Sequence, residues 1–118
     1  MKTVLIVEDD AELCKGYAEF LSSDYKVICA GNGKEALRKF KKENVDFVVL
    51  DLIIPDMNGE EALKKMKEIN ANVKIMILTA VMDPNLEKTM LSRGATVFYR
   101  KPIMGKDLMA EIKKHIPD

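Results

Sequence analysis

A chain of 118 residues, 47% of them apolar, is the size of one domain with a real core, and the whole span 1–118 is expected to be that domain. Its 19 Lys and Arg equal its 19 Asp and Glu, so no excess of positive charge argues for nucleic acid or an anionic membrane as the main partner. The opening MKTVLIVEDD joins a basic start to a short apolar run that ends in acids; it is neither a secretory signal nor a membrane span, and a cytoplasmic location is expected.

The first apolar run, TVLIVE (3–8), reads as a strand, and Leu13, Tyr17, Phe20 and Leu21 then share one helical face. YKVICA (25–30) is the second strand, after which Asn32 caps a helix carrying Ala36, Leu37 and Phe40. DFVVLD (46–51) is the third, followed by a helix with Leu63 and Met66. After the fourth strand, VKIMILT (73–79), Asp83 and Pro84 mark a helix start, Leu86, Met90 and Leu91 its face, and Gly94 its end. The fifth strand is ATVFYR (95–100), and Leu108, Met109, Ile112 and Ile116 form the last helical face. Cys14 and Cys29 lack metal-ligand spacing and are expected to be reduced packing residues; a structural role is expected for His115.

Five β-α units, four of them with nearly continuous apolar strands, imply an α/β fold, a parallel sheet covered by helices on both faces. Chemistry in such sheets gathers at the carboxyl ends of the strands. The polar residues stand there: Glu8, Asp9 and Asp10 after strand one, Asp51 after strand three, Thr79 at the end of strand four, and Lys101-Pro102 after strand five. Singly, each aspartate reads as a turn former; converging at one sheet edge, they read as a site. Several carboxylates within a few ångströms raise one another's pKa unless a cation intervenes, and oxygen donors without His or Cys suit Mg²⁺. Thr79 and Lys101 suit the oxygens of a phosphoryl group, and Asp51 is placed to be its nucleophilic acceptor.

LIVEDD, DLIIPDMNG, LTA (78–80) and GATVFYRKP (94–102), in that order and spacing, resemble the receiver domain of two-component response regulators across the whole chain. The resemblance implies a doubly wound five-stranded sheet of order 2-1-3-4-5 with five helices, the flavodoxin-like receiver arrangement. It implies phosphorylation of Asp51 by a sensor histidine kinase or histidine phosphotransfer protein, with Mg²⁺ held by Glu8 through water, Asp9, Asp51 and the Ile53 carbonyl. Thr79 and Lys101 would contact the phosphoryl group, and Phe98 falls at the aromatic switch position. Ile53 and Val81 fall where polar side chains can orient hydrolytic water in the family, so their apolar nature implies slow loss of the phosphoryl group. The output partner is an unnamed protein, reached by contact and without direct nucleic-acid or membrane binding, and the chain is expected to be a monomer or weak dimer.

Departures from the common pattern are Ile54 and Ile103, expected to affect packing, and Phe98, which lacks a phenolic hydroxyl. A flavin binder is disfavoured because the first loop is acidic, and a dehalogenase-type phosphatase because residue 53 is Ile where a second Asp is needed. A pseudo-receiver remains the main non-catalytic alternative. The end of the chain at KKHIPD is expected to be native, giving a stand-alone receiver, with an excised fragment of a longer regulator as the alternative.

Overall fold

The computed structural model describes residues 1–117, and among them a five-stranded parallel sheet of order β2-β1-β3-β4-β5 carries the architecture. The strands are β1 (Thr3–Val7), β2 (Lys26–Ala30), β3 (Phe47–Leu50), β4 (Lys74–Thr79) and β5 (Val97–Arg100). The helices between and after them are α1 (Ala11–Leu21), α2 (Gly33–Lys42), α3 (Gly59–Ile69), α4 (Leu86–Ser92) and α5 (Gly105–His115). The expected fold class, strand order and element count hold.

Strand side chains alternate between two cores, as the two-residue period of an extended chain requires. Leu5, Val7, Val48, Leu50, Ile75 and Ile77 face Ala36, Phe40, Leu63, Met66 and Met90 of α2, α3 and α4. Val4, Ile6, Phe47, Val49, Met76 and Leu78 face Cys14, Tyr17, Leu21, Leu108 and Ile112 of α1 and α5. Each fully buried aliphatic or aromatic side chain contributes about 1.5–3 kcal/mol relative to leaving it in water. The central strands β1 and β3 are apolar on both sides for this reason, whereas the edge strands β2 and β5 are only partly covered.

Of the three helix-end signals read from the sequence, two hold. Asn32 accepts from Glu35 N–H at 2.8 Å as expected, and Gly94 takes φ +106° just past α4. The helix expected to start at Pro84 after Asp83 begins two residues later: Asp83 closes a turn onto Leu86 N–H at 3.1 Å and Asn85 N–H at 2.9 Å, leaving α4 to start at Leu86. Phe20 and Leu91, expected on buried faces, are 48% and 41% exposed. The Phe20 ring lies over Gly105 instead, where an added Cβ would meet it at 2.9 Å.

The two cysteines are not reduced, which corrects the sequence-based expectation. Cys14 on α1 and Cys29 on β2 form a disulfide with Cα atoms 6.4 Å apart, a spacing within the range such a bond spans. The physical reason is topological: the return of the chain through α1 brings that helix against the edge strand, a neighbourhood that a separation of 15 residues does not announce.

Candidate functional site

Glu8, Asp51 and Lys101 are each the first residue past their strand, and the sheet fixes each by one more ladder bond. Glu8 N–H donates to Ala30 O at 3.0 Å, Asp51 N–H to Val7 O at 3.1 Å, and Lys101 N–H to Thr79 O at 2.9 Å. The carboxyl ends of β1, β3, β4 and β5 therefore deliver Glu8, Asp51, Thr79 and Lys101 to one edge. The Lys101-Pro102 peptide bond is cis.

Lys101 is the centre of the arrangement. Its ammonium donates to Asp51 Oδ2 at 2.8 Å and to Glu8 Oε1. Glu8 and Asp51 are 5% and 6% exposed, while Asp9 is exposed. One carboxylate oxygen from each of Glu8, Asp9 and Asp51 lies within 4.8 Å of the others. Three acids thus face one base, and part of the charge balance assigned to a metal from the sequence is met by Lys101. Burial pushes the Glu8 carboxyl above its ordinary 4.5, against the opposing hydrogen bonds from Lys101 and the Asp10 N–H. Burial by itself would lower Lys101, but the hydrogen bonds to Asp51 and Glu8 outweigh it and hold the ammonium above its ordinary 10.5.

The remaining expected residues border this cluster without all touching it. Ile53 N–H donates to Asp51 Oδ1 at 3.1 Å, and its side chain is 63% exposed. Thr79 is fully buried, and its hydroxyl accepts from Val81 N–H at 3.3 Å. Val81 follows in the loop between β4 and α4, half-buried, and Phe98 packs against the α2–α3 side of the sheet while Tyr99 packs against the α1–α5 side. Asp10 serves α1, accepting from Glu12 and Leu13 N–H at 3.1 and 3.2 Å. Ile54 and Ile103 are 8% and 7% exposed and join the two cores, the packing role expected of them.

Three features escaped the sequence reading. Asp56 clamps the loop after β3 to the start of α2, accepting from Gly33 N–H at 2.6 Å and Lys34 N–H at 2.9 Å. Gly59 packs so closely that an added Cβ would meet Leu52 Cα at 2.5 Å and Asp51 O at 2.8 Å. Arg100 reaches across to the loop after β4, where Nη1 donates to Val81 O and Nη2 to Asp83 O. The glycine in PDMNG was a visible signal of a close approach; the other two lay in residue types that also suit solvated turns and edges.

Comparison with known proteins decides the family. The model of the response regulator receiver domain matches residues 4–113. The chain belongs to the response regulator receiver family. It is 33% identical over 119 residues to the transcriptional regulatory protein CrdR of Helicobacter pylori, covering 99% of this chain and 56% of that protein. It is 34% identical over 111 residues to hybrid signal transduction histidine kinase D of Dictyostelium discoideum, covering 92% of this chain and 7% of that one. Of these two relatives the receiver chain thus spans about half of one and a small part of the other. Among solved structures, a CheY-like receiver domain protein of Methanospirillum hungatei superposes with TM-score 0.92 at 29% identity, covering 97% of this chain and 92% of the other. Chemotaxis protein CheY4 of Vibrio cholerae does so with TM-score 0.89 at 27% identity, covering 98% of each. Among the described residues of this receiver, no helix is long and apolar enough to cross a membrane.

Proposed function

We propose that this receiver domain accepts a phosphoryl group on Asp51 from a phosphohistidine donor in a Mg²⁺-dependent reaction, and signals by protein contact. The observation that carries the reading is the placement of the Lys101 ammonium on Asp51 Oδ2 and Glu8 Oε1 at once, with Asp9 closing a triad of carboxylates beside them. In the reaction, a carboxylate oxygen of Asp51 forms a bond to phosphorus as the P–N bond breaks, and the electron pair leaves with the donor imidazole. Lys101 holds the carboxylate oriented and offers positive charge to the incoming phosphoryl oxygens.

The donor set fits the implied metal, being made of oxygens with no His or Cys in the cluster. Glu8, Asp9, Asp51 and the backbone carbonyl of Ile53 would hold the ion, which would supply further positive charge to phosphoryl oxygens. Thr79 would give up its bond from Val81 N–H to meet the phosphoryl group, and Phe98 would respond to the space so vacated. The partners are a sensor histidine kinase or histidine phosphotransfer protein as donor, and an output protein or domain as receiver of the signal; a cytoplasmic setting and a monomer or weak dimer accord with that role.

The test is incubation with a small phosphodonor and Mg²⁺, followed by intact mass. One phosphoryl group is expected on the parent, and none on Asp51→Asn or on the parent in excess chelator. Equal labelling of Asp51→Asn removes Asp51 as the acceptor, and undiminished labelling in chelator removes the metal.

A further inference from the structure

Arg100 makes a contact that neither the family pattern nor the proposed chemistry accounts for. It stands opposite Thr79 in the β4–β5 register, on the same side of β5 as Phe98. Its guanidinium carbon sits 5.2 Å from the centre of the Phe98 ring. From there one nitrogen donates to the Val81 carbonyl and the other, at 3.1 Å, to the Asp83 carbonyl. Between those carbonyls Met82 is 82% exposed. Apart from the bond of Val81 N–H to Thr79 Oγ1 at the end of the preceding strand, the side-chain hydrogen bonds that tie Val81 and Asp83 to another element are, among the described residues, those from Arg100. One planar group therefore joins the aromatic residue to the loop that follows Thr79, a task that needs both a two-pronged donor and a flat face.

We infer that Arg100 is a positioning residue that couples the Val81–Asp83 loop to the Phe98 ring and favours the arrangement both have when Asp51 carries no phosphoryl group. The inference rests on the phosphoacceptor reading of Asp51. Thr79 Oγ1 accepts from Val81 N–H in this arrangement. Turning that hydroxyl toward phosphoryl oxygens withdraws it from Val81, so the loop must shift, and the Val81 carbonyl gripped by Arg100 shifts with it. The fork then opens and the guanidinium leaves its place over Phe98. Contacts made in one state and lost in the other bias the equilibrium toward the first. Removing the guanidinium therefore makes the loaded state easier to reach.

The experiment has two arms, both on the full chain. Without any phosphoryl mimic, Arg100→Gln is expected to speed amide exchange across residues 81–83 by about threefold or more, as loss of a local tie does. It is also expected to move the ¹⁹F resonance of 4-fluorophenylalanine at Phe98, assigned by Phe98→Leu; Arg100→Lys, which keeps the charge and loses the fork, should fall between Gln and the parent. Unchanged exchange with an unmoved resonance overturns the coupling. In the second arm, Mg²⁺ and beryllofluoride are titrated, and Arg100→Gln is expected to bind with an apparent Kd about fivefold lower than the parent, a shift of populations and not of direct contact. Equal or weaker binding overturns the claimed bias. If the parent and Asp51→Asn respond alike to beryllofluoride, the phosphoacceptor reading fails and takes the bias with it, while the exchange arm still decides the coupling.

Discussion

Replacing the apolar pair beside Asp51 by Ile53→Asn/Val81→Glu is expected to shorten the life of the phosphorylated form. The perturbation is clean because of where the two side chains sit. Ile53 is 63% exposed and Val81 half-buried, so neither fills a core position, and the cost in stability should stay within about 0.5 kcal/mol for the exposed one. The Ile53 backbone is also held beside the acceptor, its N–H tied to Asp51 Oδ1 at 3.1 Å, and Val81 lies two residues past Thr79, whose hydroxyl is expected to meet the phosphoryl group. A polar side chain at either place is held close to where water must approach the phosphorus. One water-orienting hydrogen bond worth about 1 kcal/mol in the transition state gives roughly a fivefold faster rate, and two give about tenfold to thirtyfold. The assay is to phosphorylate parent and variant, remove the donor, and follow phosphoryl loss at saturating Mg²⁺. Equal or slower loss in the double variant, with an unchanged circular dichroism spectrum, refutes the reasoning.

Three other outcomes follow from particular contacts. Gly59→Ala places a methyl group against the Leu52 and Asp51 backbone, and should destabilise the domain by about 1–3 kcal/mol in urea unfolding while slowing phosphorylation, since overpacking pushes the Asp51 loop aside. The hydrogen bond from Lys34 N–H, with help from Gly33, holds the Asp56 carboxyl below its ordinary 3.8. A carboxyl depressed in the folded state lends stability above the unfolded pKa and loses it as pH falls through the folded one, so Asp56→Asn should be less stable than the parent near neutrality and converge with it well below 3.8. Alkylation in denaturant without reductant should leave Cys14 and Cys29 unmodified, and prior dithiothreitol should expose both; modification in both samples contradicts the cross-link.

The fold was legible in the sequence because its signal is redundant. Runs such as VVL and IMIL bury both faces of a strand, and no other element accommodates four to six such residues between caps. The α4 start was misplaced because Asp83 and Pro84 suit both a helix N-terminus and the turn they form here. At the site, the residue types and their positions after the strands could be read from the chain. Their pairing could not: Lys101 and Glu8 lie 93 residues apart, and nothing in either segment says that the ammonium lies on Glu8 as well as Asp51. Asp56 and Arg100 were missed for a related reason. A charged side chain in a turn or on an edge strand is usually solvated, and only three-dimensional neighbours reveal one bound to backbone groups of another element.

The most direct measurement of the central claim is chemical mapping of the modified residue. The chain is phosphorylated from a phosphohistidine donor in Mg²⁺, the acyl phosphate is reduced with borohydride, and the peptides spanning LIVEDD and DLIIPDMNG are sequenced by tandem mass spectrometry. The account predicts conversion of Asp51 to homoserine, with Glu8, Asp9 and Asp56 unchanged. Reduction at any of those three carboxylates in place of Asp51, or a phosphoryl linkage that resists borohydride, would contradict it.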